Sequence, residues 1–152
     1  MDFYLRTVRD NNNIFHADKP GFFWGQGEND LIVDAGDFAT VSGKNYLAQS
    51  MAKILVTEPG ANKFFPAYGS GLQNLVGANM DLDFLRANVK SETIDSLRIY
   101  QFINKTNSDL DEQIDMLQSL KIDQILNDGI NVSFTVITRA GTPVGSTVSI
   151  EG

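Results

Sequence analysis

Acidic side chains set among apolar ones are the first places where chemistry could reside in this chain: Glu58, Asp83, Glu92 and Glu112. Glycoside hydrolysis needs two carboxylates about 5–10 Å apart, one of them in an apolar pocket that raises its pKa. Here Glu58 precedes Pro59 and Gly60 at an expected helix end, and Asp83 falls in the first turn of an expected helix. An acid at that second position complements the helix dipole without any catalytic role. None of the four is joined to a second acid by a sugar-binding run of interleaved Asn, Trp and Tyr. The single histidine, His16, lies in a polar N-terminal stretch. Gly69, Ser70 and Gly71 fall one residue short of a nucleophile elbow and follow no strand. No Gly-Lys-Ser/Thr comes after them, so they form no phosphate loop. Asp81 with Asp83, and Asp109 with Asp111 and Glu112, have the spacing of hard-metal ligands but lack the glycine and glutamate of an EF-hand loop. Helix capping accounts for both. The residues therefore predict a chain with no catalytic, cofactor or metal site.

The elements that would position these residues read as α+β. Asp30 to Asp34 (DLIVD) is a short strand, and a turn at Ala35, Gly36 and Asp37 leads into Phe38 to Val41, a hairpin. Leu47, Met51, Ile54 and Leu55 share one helical face, with Ser42 as N-cap and Pro59-Gly60 as terminator. A loop follows in which Phe64, Phe65, Tyr68 and Leu72 sit among Pro66, Gly69 and Gly71. Such a segment is neither helix nor strand. Burying a large aromatic is worth roughly 1.5–3 kcal/mol, so the loop is expected to be packed and its aromatics buried. Pro66 sets a turn, and Gly69 and Gly71 supply positive φ or close backbone approach.

Met80 or Asp81 opens a second helix with Leu82, Leu85, Val89, Leu97 and Phe102 in helical period, interrupted by Glu92. Asn104 to Ser108 breaks it, and a short third helix is expected with Leu110, Ile114 and Leu117, capped by Ser108 or Asp109. The pattern then changes to period two. Leu120 and Ile122 begin one strand, Ile130, Val132, Phe134 and Val136 alternate in a second, and Thr147 to Ile150 form a third. This is a three-stranded antiparallel meander with one buried face, and the helices pack on that face.

Residues 1–29 read as a separate arm before a domain of residues 30–152. Phe3, Tyr4 and Leu5 suggest a short strand; Phe22, Phe23 and Trp24 between glycines form an aromatic knot. The knot is either packed on the main domain or kept for a neighbour, and an exposed aromatic cluster of that size, unusual on a free monomer, favours the neighbour. The chain is 152 residues long, enough for one domain, with a net charge of −7 and no cysteine. Its 12 basic residues are scattered, which argues against duplex binding. Between Asp109 and Asp128 six acids face one base, Lys121, either a solvated face or a surface for a basic partner. No apolar run reaches the ~18 residues that span a bilayer, and none follows the first charges as in a secretory leader. A soluble protein made in a cytoplasm is expected.

The order DLIVD, GDFATVSG, a helix carrying Asn45, Leu47 and Gln49, LVTEPG and FFPAYGSGL resembles the baseplate wedge family of contractile phage tails. That family was long labelled lysozyme-like and has relatives in the type VI secretion baseplate. The resemblance is specific from Asp30 to Leu75 and looser to Ile150. It implies a virion structural protein, present in several copies around the hub. Its implied partners are other wedge proteins, hub or tube proteins and the tail sheath, with no nucleic acid or membrane. It also implies a sheet that nucleates sheath addition by accepting a strand. Thr147, Val148, Ser149 and Ile150, which end the chain, are the candidate edge. A Glu-Pro-Arg element of the family that contacts wedge partners is matched in position by Asp111, Glu112, Gln113 and Ile114, where the acid and the following isoleucine are kept and the proline and arginine are not. A peptidoglycan hydrolase, another tail protein such as a hub connector, and a free-standing binding domain using Phe22 to Trp24 are the competing readings.

Overall fold

The computed structural model describes residues 42–126 and 129–151, together with strand residues 7–9, 15–17, 33–34 and 37–38. Strands β1 (Thr7–Arg9) and β2 (Phe15–Ala17) pair antiparallel, as do β3 (Val33–Asp34) and β4 (Asp37–Phe38). The β3–β4 pair is the hairpin expected from DLIVD and the turn after it. Helix α1 (Gly43–Val56) and helix α2 (Leu82–Ile103) follow, then β5 (Ile114–Leu126), β6 (Gly129–Thr138) and β7 (Pro143–Glu151). The last three form one antiparallel sheet in the order β5-β6-β7. The expected strand at Phe3 to Leu5 and the knot at Phe22 to Trp24 lie outside the described residues.

The sheet is half-buried, and its pattern says which half. Along β6, Ile130, Val132, Phe134, Val136 and Thr138 are buried and alternate with partly exposed neighbours. Strand side chains point to opposite faces in turn, so one face is core. Helix α1 covers it at β7 and helix α2 at β5. Leu47, Met51, Ile54 and Leu55 from α1 meet Val89 and Leu97 from α2 and the inner residues of the sheet in a single cluster. This is the α+β arrangement expected, with helices on one face of the meander.

Helix α2 begins where the sequence places it, because the Asp81 carboxylate accepts from the amides of Asp83 at 3.0 Å and Phe84 at 3.4 Å. Leu85, Val89 and Leu97 are buried, whereas Leu82 and Phe102, expected on the same stripe, are exposed. Leu82 and Phe102 stand at the two ends of this 22-residue helix, and the core is met by the residues between them.

The expected third helix is absent and its place belongs to β5. Only Leu110–Glu112 coil, as a single 3₁₀ turn capped by Asp109, and Ile114 and Leu117 lie in the strand. The pairing with β6 explains the misreading. Register shifts between Ile114 and Met116, Leu117 and Ser119, and Ile122 and Gln124 each insert one residue without a partner. The β5 residues opposite the inward positions of β6 are therefore Ile114, Leu117, Leu120, Ile122 and Ile125. Steps of three, three, two and three mimic a helical period, although each step of three is a strand step lengthened by a bulge. Strand β7 likewise starts earlier than expected, at Pro143, because the turn before it is tight: Gly141 N–H donates to Thr138 O at 2.8 Å.

Candidate interaction surfaces

The two outer strands of the sheet present different edges. Strand β7 pairs with β6 from Pro143 to Glu151 in unbroken register. Its other side carries no ladder among the described residues, although β2 lies against it. Of the four candidate edge residues, Val148 and Ile150 are buried in the core, while Thr147 and Ser149 occupy the outer face and are half-buried. An incoming strand would meet the backbone here and the side chains of Thr147 and Ser149. Strand β5 is interrupted by its three bulges, and the inserted residues, Asp115, Gln118 and Asp123, are all polar. At its start, Gln101 Nε2 donates to the carbonyls of Ile114 at 3.0 Å and Asp115 at 3.3 Å. Bulges, charge and capture of carbonyls all blunt a sheet edge.

The outer face of the sheet is a field of hydroxyls. Ser133 lies 3.0 Å from Thr147 across strands and also donates to the Asp123 carboxylate. That hydrogen bond holds the Asp123 carboxyl below the usual carboxylate range; burial opposes it, and the Lys121 ammonium 3.2 Å away adds to the lowering.

Glu112, the residue carried over from the family element, turns inward. Its Oε1 accepts the Gly43 amide at 2.8 Å and its Oε2 accepts from Asn107 Nδ2 at 2.6 Å. The carboxylate thus caps α1 from 69 positions away. Ser42 occupies the N-cap position as expected but makes no side-chain cap. An acid at a helix N-terminus satisfies an orphan amide and complements the dipole. Around it, Asn104 Nδ2 donates to the Glu112 carbonyl and to Tyr100 Oη, and Gln113 Nε2 donates to the Asn107 carbonyl. Burial among these groups pushes the Tyr100 hydroxyl far above its ordinary pKa. This polar knot fastens the end of α2 to the start of both α1 and β5. Helix caps are read from neighbours in sequence, so no local signal could have assigned α1 its cap.

The loop after α1 corrects the expectation of burial. Phe64 is 93 % exposed and Phe65 48 %, and Pro66 is exposed beside them. Tyr68 is half-buried, and only Gly69, Ser70 and Leu72 go under. The loop is nevertheless braced. At its neck, Ser70 N–H donates to Thr57 O at 2.8 Å and Ser70 Oγ donates to Leu55 O. Gly69 has φ +133°, and a Cβ there would stand 2.6 Å from Thr57 O, so the close approach expected of it is real. Gly71 donates its amide to Glu92 Oε2 at 2.9 Å, tying the loop exit to α2. Further out, Gly60 N–H meets Pro66 O at 2.8 Å, and Asn62 Oδ1 accepts the amides of Phe64 and Phe65 at 3.0 and 3.2 Å. These bonds satisfy the tip locally, and Leu72 fills the core position beneath the neck.

The acids weighed for chemistry are thus dispersed among structural tasks. Glu92 and Glu112 hold backbone amides, Asp81 caps α2, and Glu58 and Asp83 face solvent. Among the described residues no three His, Cys, Asp or Glu side chains converge as a metal site, and no helix is long and apolar enough to cross a membrane. No protein-family model matches the chain, and no curated protein is significantly similar to it.

Proposed function

We propose that this chain is a non-enzymatic assembly protein of the baseplate-wedge kind, which accepts a strand from a neighbouring subunit along the outer edge of β7, where no ladder forms among the described residues. The observation that carries the reading is the contrast between the edges of one sheet. Strand β5 is bulged and charged, whereas β7 keeps an unbroken register over nine residues. An unpaired regular edge is a template for another strand. A protein that works alone gains by blunting it, and one that initiates an array gains by keeping it open. The order of motifs from Asp30 to Leu75 supplies the setting: a contractile tail or a phage-like injection machine, with wedge, hub and sheath proteins as partners.

Amide hydrogen exchange tests this directly. Along an antiparallel strand, successive N–H groups face opposite sides. In the isolated chain, protection from Thr147 to Ile150 should alternate, with every second amide exchanging fast. In particles assembled with sheath protein, the fast amides should become protected. If they stay fast in complete particles, β7 is not the accepting edge. Lysis of purified cell wall by the isolated chain would instead favour the hydrolase reading.

A further inference from the structure

Strand β7 ends the sheet, yet its outer edge is not bare. Strand β2 (Phe15–Ala17) lies against both β7 and helix α1. Three observations fix where it stands. Cα atoms of β2 come within 8 Å of those of β7, nearer than the roughly 10 Å that separates stacked sheets, so β2 is no second layer. The inner face at β7 is taken by α1, and β2 touches α1 as well, which a strand on the far face of the sheet could not do. Strand β6, the next one inward, has no comparable approach to β2. What remains is the margin of β7, on the side of α1. There β2 pairs with β1 and β7 with β6, and no ladder joins β2 to β7 among the described residues.

A cover that makes no ladder is suited to removal. A regular edge of nine residues left bare is a template for any other strand, and proteins suppress such pairing by covering the edge. When β2 leaves, no ladder bond to β7 is broken, whereas an incoming strand forms a full ladder in its place. The β1–β2 hairpin has three residues in each strand. A two-stranded hairpin is marginal in water by itself, so its contacts with α1 and β7 hold it together. We infer that the β1–β2 hairpin is a displaceable guard of the β7 edge: it keeps free chains apart, and the partner's strand takes its place. The inference rests on the reading of β7 as an accepting edge and adds how that edge is controlled. Partner choice becomes a competition, in which a strand able to run in register along β7 displaces the guard and a bulged edge such as β5 of another copy does not.

Hydrogen exchange of the full chain, alone and with purified sheath protein, reads guard and edge together. In the isolated chain the amides that join β1 to β2 should be protected. On sheath addition they should exchange at least about tenfold faster, as a locally opened segment does, while the fast amides of β7 slow down. If the β7 amides slow and the hairpin keeps its protection, the guard is overturned and the accepting edge stands. If the β7 amides stay fast, both fall. Val8→Pro, in the middle of β1 and opposite His16, breaks the hairpin within the full chain. Its rate of sheath addition should rise at least about tenfold, because more chains then offer an uncovered edge. The isolated variant should also self-associate with rising concentration in sedimentation. A Val8→Pro chain that stays monomeric and adds sheath protein at the parent rate would overturn the guard.

Discussion

Strands β5 and β7 flank the same central strand, lie under the two helices of the same layer, and are built by different rules. The β7 residues facing the helices, Val144, Ser146, Val148 and Ile150, are all buried and follow a strict period of two. Along β5 Ile114 is buried, but the inward residues after it, Leu117, Leu120, Ile122 and Ile125, are only partly so, and each bulge shifts the next one along the chain. The difference teaches that one sheet can make one edge a surface and the other a margin. Regular pairing keeps backbone donors in line for a further strand. Bulges twist them out of line and place Asp115, Gln118 and Asp123 in the way.

The contrast in burial breaks first under truncation. Ile150→Ala should destabilise the chain by about 2–5 kcal/mol, the usual range for a buried isoleucine, and Ile122→Ala by about half of that. Urea unfolding of the two variants measures both, and equal losses would mean that the strands share the core equally. Removing the anchorage of β5 comes next. Glu112→Ala strips α1 of its distant cap and leaves the Gly43 amide without its acceptor, an expected loss of about 1–2 kcal/mol. Glu112→Gln keeps an acceptor oxygen and should recover part of it. Equal stability of both variants and the parent chain would show that the knot contributes nothing.

Ser146 gives a smaller effect of opposite sign. It is fully buried on the inner face of β7, and its hydroxyl has no hydrogen-bond partner among the described residues. Ser146→Ala should therefore be neutral or stabilise by up to about 1 kcal/mol, and a loss above that would reveal a partner for the hydroxyl. Deleting Gln118, the unpaired residue between Leu117 and Ser119, should straighten β5 with little change in stability. Its effect should appear as concentration-dependent self-association in sedimentation, because the stretch from Met116 to Ile122 then pairs without interruption between the two remaining bulges. A deletion variant that stays monomeric would mean that the charged side chains, rather than the bulge, protect this edge.

The smallest effect belongs to Asp123, whose carboxyl is held below its ordinary range by Ser133 and Lys121. A lowered folded pKa contributes stability that is present above the unfolded pKa and is lost as pH falls through the folded one. The stability difference between the parent chain and Asp123→Asn should accordingly shrink on acidification below the normal carboxylate range. A difference that does not change with pH would remove the carboxylate from the account of this face.

What local chemistry determines was legible in the residues. The Asp81 cap, the apolar face of α1, the alternation of β6 and the close approach at Gly69 each follow from side chains within a few positions of one another, and all are found. Three matters were decided only when distant segments met. The start of β5, with Ile114 and Leu117, reads as a helix because bulges lengthen its period, and a bulge exists only relative to the strand opposite. The cap of α1 comes from Glu112, 69 residues away, chosen by the packing of the 3₁₀ turn against the helix start. Phe64 and Phe65 face water because the neck of their loop is closed by Ser70 and the space below is taken by Leu72. Hydrophobicity alone states that an aromatic gains by burial, and only the filled core determines that no room for it remains.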